Sequence, residues 1–134
     1  LAGIAVPGIG LAATPSPQHP APGRTGVIVQ SGGVGGALLE QFSRLGIGIS
    51  CFAALGGKLD VSGTDVLLWL ESDSTTELAV LHLESFGNPR RFAHVARRIG
   101  ARIPILTVHA GRSAPDQRAA VSHTAAAAAP LITR

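Results

Sequence analysis

A segment of small residues, QSGGVGG at positions 30–36, follows directly on an apolar run and has the composition of an anion site. Glycine lets the backbone approach a ligand closely. A helix that begins here would present N–H groups without intrahelical partners, together with a partial positive charge. Ser31, Gly32 and Gly33 are therefore candidates for binding a phosphate. A tight turn from strand to helix needs the same residue types, so the spacing alone leaves both interpretations open.

The common nucleotide-phosphate motifs do not fit this segment. It matches neither G-x-x-x-x-G-K-[ST] nor G-x-G-x-x-G. The sequence GGK at 56–58 fails as well, because Phe52 stands where the first glycine of the P-loop motif belongs and Leu59 follows the lysine. The sequence therefore supports neither a P-loop nor a dinucleotide fingerprint.

A second candidate for chemistry is His123, which lies between two hydroxyl side chains in VSHT and is followed by five alanines. A neutral imidazole is a good nucleophile at about pH 7. Small residues after it would let a loop that carries the histidine move between sites without clashes. An alanine run is also a good helix former, so a helix that starts here is the alternative.

Other histidine chemistry has weaker support. His82 and Glu84 are two residues apart on a predicted strand and so share a face, and with His109 and His123 they could supply metal ligands. Their spacing matches no recognised ligand pattern, so no metal site is predicted. The sequence contains no G-x-S-x-G nucleophile elbow, which disfavours a serine hydrolase.

Four apolar runs, at 25–30, 47–55, 77–84 and 103–110, alternate with helical patterns. Strands that are apolar along their whole length, alternating with helices, indicate a parallel sheet covered on both faces. The prediction is an α/β, doubly wound parallel sheet of flavodoxin type. Its functional residues should lie where the strands end, in one row along the sheet: Gln30 to Gly33, Gly56 to Lys58, Glu84 with Ser85, and His109 to Arg112.

The first 23 residues differ in composition from the rest. The stretch TPSPQHPAPG places four prolines within ten residues, which removes backbone donors and disfavours helix. We expect residues 1–23 to be a Pro/Gly-rich extended linker from a preceding domain. Residues 24–134 should form one domain, incomplete at its C-terminus.

Charge and apolar content narrow the function classes. The net charge is +3, and the arginines at 90, 91, 97 and 98 fall at helical spacing without interleaved aromatic residues, so a solvated helix face is favoured over nucleic-acid binding.

Cys51 is the single cysteine and is expected to be a small buried hydrophobe. The apolar stretches fall short of the about 20 residues needed to span a bilayer, and no signal peptide is evident. We expect a cytoplasmic protein.

Several blocks of the sequence, in the same order, resemble a known family. The run from VIVQSGGVGG to LAVLHLES, the run FAHVARRIGARIPILTVHAGRS and the short AAVSHT look like the second domain of the NDP-forming acyl-CoA synthetases, relatives of the succinyl-CoA synthetase α subunit. The resemblance covers nearly everything from Gly23 to Pro130. It implies the same flavodoxin-like fold.

The resemblance also implies a reaction. In that family acyl-CoA, phosphate and ADP interconvert with acid, CoA and ATP, through an acyl phosphate and a phosphorylated histidine on a mobile loop. His123 matches that histidine, and Glu84 matches the carboxylate that orients it. Ser31, Gly32 and Gly33 match the start of the helix that receives the phosphoryl group. Magnesium, a small acyl-CoA substrate, a CoA-binding domain and an ATP-grasp domain are implied for the whole enzyme, with no ligand bound tightly by this part alone, which should not catalyse the full reaction.

Two positions depart from the family pattern. Ala125 stands where the family usually has glycine after His-Thr, and His109 stands where it often has lysine. Similar domains are also fused to protein lysine acetyltransferases, where they act in regulation and commonly lack the histidine. A regulatory, ligand-sensing domain of such a hybrid protein is therefore the alternative function.

Overall fold

The computed structural model describes residues 3–58 and 60–109, whose core is one mixed sheet with the strand order β2-β1-β4-β3-β5-β6. The strands β3, β4, β5 and β6 run parallel to one another, whereas β1 and β2 are antiparallel additions. Their bounds are β1 Gly3–Val6, β2 Leu11–Ala13, β3 Pro22–Val29, β4 Ile49–Ala54, β5 Leu78–Leu83 and β6 Ile105–His109. The parallel strands thus follow the order second, first, third, fourth, which is the flavodoxin order that we predicted.

Three helices connect the parallel strands: α1 Gly32–Arg44, α2 Gly63–Ser72 and α3 Pro89–Gly100. Apolar residues of α1 pack with Val27, Val29 and Phe52 on one face of the sheet. Residues of α2 and α3 pack with Ile28 and Leu81 on the opposite face. Helices therefore cover both faces, which confirms the doubly wound prediction.

Local sequence signals set the helix starts. Ser62 precedes α2 and forms a capping box with Asp65, in which each side chain accepts from the other residue's backbone N–H. Asn88 precedes α3, with Pro89 at the first helical position, and its side chain accepts from the N–H of Arg91 at 3.0 Å. The four arginines of α3 are exposed, as predicted, and two of them pair with acidic residues of α2.

The first part of the chain differs from the linker that we expected. Residues 3–5 pair antiparallel with β4, and residues 11–13 pair with residues 4–6 to form a hairpin. The apolar side chains explain the difference, because Ala5 is 2% exposed and joins the core around Phe52. Gly10, with φ of 70°, supplies the left-handed residue at the turn. The proline-rich stretch that follows, residues 14–21, lies outside strands and helices.

Cys51 lies in the core, in the middle of β4. Burial, with a smaller contribution from Asp73, raises the pKa of its thiol to about 11. The thiol is therefore a structural hydrophobe, as predicted, rather than a nucleophile. No helix within residues 3–58 and 60–109 is long and apolar enough to cross a membrane.

Candidate functional site

The candidate site lies in the crevice between the carboxyl ends of β3 and β5. These strands are adjacent and parallel, with Val29 paired to His82 near their ends. After β3 the chain turns to α1 on one face, and after β5 it turns to α3 on the other. The connecting loops therefore diverge here, which is the topological switch point where open α/β sheets bind ligands.

On the β3 side, the crevice is formed by Ser31 and the first turn of α1. Ser31 occupies the N-cap position with extended backbone angles, and its hydroxyl makes no capping hydrogen bond. The intrahelical bonds begin with the N–H of Gly35, which donates to the carbonyl oxygen of Ser31 at 3.0 Å. The N–H groups of Gly32 and Gly33 therefore have no partner within the helix, and helix N-termini of this kind bind anions.

The glycines of this segment have different roles. A Cβ on Gly35 would lie 2.8 Å from atoms of Phe52 and Val29, so this glycine is required for α1 to pack closely on the sheet. A Cβ on Gly33 would meet only the Ser31 hydroxyl oxygen, at 3.9 Å, and one on Gly36 would meet nothing within 4 Å. Packing against the sheet therefore accounts for the glycine at position 35, whereas the exposed Gly33 is accessible to a ligand.

On the β5 side, the crevice is formed by Glu84 and Ser85, which follow the strand directly. Both are half-buried. Their backbone N–H groups donate to the side-chain oxygen of Gln30, at 3.0 and 3.1 Å. The Gln30 backbone N–H in turn donates to the carbonyl oxygen of His82 at 2.9 Å. Gln30 therefore fixes the position of Glu84 relative to the start of α1.

Lys58 reaches the same loop from the end of β4. Its ammonium group donates to the backbone oxygen of Ser85 and to the Ser85 hydroxyl, the latter at 2.8 Å. Burial lowers the pKa of Lys58, and the nearby Glu84 carboxylate partly opposes that shift. The lysine therefore brings a partly desolvated positive charge to the crevice.

Sequence reasoning missed the contacts of Gln30 and Lys58. Both residues were among the loops expected at this edge, but neither was given a role. The available signal for Gln30 is a single amide at the end of an otherwise apolar buried strand, because such a group must find partners. For Lys58, GGK looked like an incomplete phosphate motif, and only the tertiary structure supplies Ser85 as its partner.

His82 lies beneath this edge, on the sheet face that α1 covers. Its Nδ1 atom is buried and has no hydrogen-bond partner within the part of the chain that the structure describes. His94, by contrast, is exposed on α3.

Of the predicted site residues, Ser31, Gly32, Gly33 and Glu84 all border the crevice. His123 and Ala125 lie outside the described residues. His109 ends β6 and pairs through its backbone with Leu83, and its side chain is not among those described. The described residues contain no group of three or more His, Cys, Asp or Glu side chains placed to hold a metal ion.

A cavity of about 370 Å³ adjoins the first turn of α1. One wall is the proline-rich stretch at residues 14–18, and the opposite wall includes Gly32, Gly33 and Ala37. Phe52 and Ala54 of β4 also line it. The cavity therefore opens beside the candidate phosphate site and is bordered mainly by small and apolar groups.

Comparison with known proteins identifies the relatives of this chain. It is 38% identical over 109 residues to a 4-hydroxybutyrate–CoA ligase (ADP-forming) of Nitrosopumilus maritimus, covering 80% of this chain and 16% of that protein. It is 35% identical over 114 residues to the α subunit of acetate–CoA ligase (ADP-forming) I of Pyrococcus furiosus, covering 85% of this chain and 25% of the subunit.

A solved structure has the same fold. The dinucleotide-forming acetyl-coenzyme A synthetase 1 of Candidatus Korarchaeum cryptofilum, in complex with phosphate and ADP, superposes with a TM-score of 0.84 at 35% identity. The match covers 91% of this chain and 27% of that protein. The chain thus spans about a quarter or less of each of these three proteins. The family model described as "Succinyl-CoA ligase like flavodoxin domain" matches residues 22–132, and the chain therefore belongs to that family.

Proposed function

We propose that this chain is the phosphohistidine-bearing domain of an ADP-forming acyl-CoA ligase, with His123 as the residue that carries the phosphoryl group. One observation supports it most directly: Ser31 with its uncapped hydroxyl, the first turn of α1, and Glu84 border the same crevice. An anion site and a carboxylate side by side are what a phosphorylated imidazole needs.

The proposed reaction proceeds in three transfers. Inorganic phosphate attacks the acyl carbon of acyl-CoA, the C–S bond breaks, and CoA leaves as acyl phosphate forms. A neutral nitrogen of His123 then attacks the phosphorus, and the P–O bond to the carboxylate breaks to release the acid. Finally an oxygen of the β-phosphate of ADP attacks the phosphorus, and the P–N bond breaks to give ATP and free histidine.

The residues of the crevice would assist the second transfer. The N–H groups of Gly32 and Gly33 and the Ser31 hydroxyl would hold the phosphoryl oxygens, at a helix end whose partial positive charge favours them. The Glu84 carboxylate would accept from the other imidazole nitrogen, which fixes the tautomer and stabilises the positive charge of phosphohistidine.

The other parts of the reaction belong to the proposed whole enzyme. A CoA-binding domain and an ATP-grasp domain, on the same or a partner chain, would supply acyl-CoA and nucleotide. Magnesium is expected to accompany the nucleotide, and we assign no magnesium site to the described residues. We further propose that the whole enzyme works in the cytoplasm. The relatives named above are CoA ligases, which favours this proposal over a regulatory domain of a lysine acetyltransferase.

The test is phosphohistidine formation on the complete protein that contains this domain. Wild type, His123→Ala and the control His94→Ala would be incubated with γ-labelled ATP and magnesium, and separately with acyl-CoA and labelled phosphate. We expect an acid-labile, alkali-stable label on wild type and on His94→Ala, and none on His123→Ala. Equal labelling of His123→Ala, or no labelling of any protein, would contradict the proposal.

A further inference from the structure

The loop that carries Glu84 is held in place by two side chains that come from the segments after β3 and β4. The backbone N–H groups of Glu84 and Ser85 and the backbone oxygen of Ser85 all bond to side chains, namely those of Gln30 and Lys58. Because main-chain groups are fixed in this way, the direction in which the Glu84 side chain leaves the backbone is set from outside its own loop.

The strand order makes Lys58 a bridge over the crevice. Lys58 follows β4 and Ser85 follows β5, and β3 lies between these two strands. The contact between them therefore crosses the carboxyl end of β3, where Gln30 stands. Gln30, which is 6% exposed, holds the loop from beneath, whereas the half-buried Lys58 holds it from the far side.

Lys58 adopts a backbone conformation that is uncommon for its residue type. Its φ of 51° is the one positive value for a residue other than glycine within residues 3–58 and 60–109. Left-handed backbone is unfavourable for a side chain with a Cβ and persists where surrounding contacts determine it. Here the contact with Ser85 stabilises the conformation, because the left-handed backbone brings the Lys58 ammonium group within hydrogen-bond distance of the loop.

We propose that Lys58 is a positioning residue for Glu84: by holding Ser85 across the end of β3, it keeps the Glu84 carboxylate directed at the phosphoryl-bearing histidine. The inference rests on the proposed function, because it assumes that Glu84 acts on His123. In this proposal Lys58 acts through Ser85 and not on the phosphoryl group itself. Replacing Lys58 should therefore slow the phosphorylation of His123 only when Glu84 is present.

A double-mutant cycle on the complete protein tests this dependence. The rate of His123 labelling from ATP would be measured for wild type, Lys58→Met, Glu84→Gln and the double variant, with Arg97→Met as a control that removes an exposed cation of α3. We expect Lys58→Met to slow labelling about tenfold in the wild-type background and to have no further effect in Glu84→Gln. Lys58→Arg, which keeps the charge and the donors, should restore most of the rate.

The outcomes separate the two proposals. If Glu84→Gln and His123→Ala leave labelling unchanged, the proposed function fails. If His123→Ala abolishes labelling and Glu84→Gln slows it, but Lys58→Met matches wild type or its loss multiplies fully with that of Glu84→Gln, the positioning role is overturned. Should Lys58→Met not fold, Ser85→Ala replaces it in the cycle. It removes one hydroxyl contact, with an expected loss of about threefold that again disappears in Glu84→Gln.

Discussion

The side-chain oxygen of Gln30, at the end of β3, accepts hydrogen bonds from the backbone N–H groups of both Glu84 and Ser85. One buried amide thus joins the two loops that border the crevice. Both lone pairs of the oxygen are used, and neither bond belongs to the regular pairing of the sheet. The geometry of the site therefore depends on a side chain that would not itself contact a phosphate.

Replacing Gln30 with methionine should destabilise the chain. The change keeps the volume of the side chain but leaves two partly buried N–H groups without an acceptor, which should lower the free energy of unfolding by about 1–3 kcal/mol. Urea unfolding followed by circular dichroism would measure it. Gln41→Met, on the exposed side of α1, is the matched control and should change stability little. Equal effects of the two substitutions would show that the Gln30 bonds contribute nothing.

Alanine substitutions at two neighbouring glycines of α1 should have opposite effects. Gly35→Ala forces a Cβ to within 2.8 Å of Phe52 and Val29, so the helix must shift and stability should fall by about 1–3 kcal/mol. Gly36→Ala places its Cβ in open space and should raise stability by about 0.5–1 kcal/mol, because alanine is the better helix former. Thermal unfolding of both variants checks the prediction, which fails if the melting temperatures move in the same direction.

Asp65 should make the stability of the chain depend on acidic pH. Hydrogen bonds from Ser62 lower the pKa of its carboxyl from the ordinary 3.8, against a smaller opposing effect of burial. The folded state therefore binds this proton less readily than the unfolded state. The stabilisation is present above 3.8 and is lost as the pH falls through the lowered folded pKa.

Urea unfolding at several pH values, for wild type and Asp65→Asn, measures this contribution. The stability difference between the two proteins should be constant above pH 5 or so and should shrink as the pH falls below about 4. Asp60→Asn, in the exposed loop before α2, serves as the control for removing a carboxylate. A difference that stays constant down to about pH 2 would contradict the assignment.

Periodicity predicted the parallel part of the fold because its strands are mostly apolar and alternate with helical patterns. Four β-strands, three helices and their order were therefore accessible from the sequence. The hairpin at residues 3–13 was not, because its glycine and proline content resembles that of a linker and its strands are only 4 and 3 residues long. Pairing with β4 stabilises it, and that is a long-range contact.

The position of the candidate site was also predictable from the sequence, but the contacts within it were not. Chain topology alone brings Ser31 and Glu84 to one crevice, since both follow adjacent parallel strands. The contacts of Gln30 and Lys58 depend on the position of β3 between β4 and β5. The Lys58 contact also depends on the left-handed backbone of that residue. The amide at the end of an apolar strand indicates that Gln30 must find hydrogen-bond partners, but no local signal identifies Glu84 and Ser85 as those partners or predicts the backbone conformation of Lys58.

The antiparallel hairpin also changes how the sheet ends. Without β1, the fully buried β4 would be the outermost parallel strand, with a row of unpaired N–H and C=O groups open to another chain. With the hairpin in place the outer position passes to β2, which has 3 residues and is exposed along its length. Short edge strands are poor templates for pairing between molecules. The hairpin thus makes this edge of the sheet a poor site for edge-to-edge aggregation.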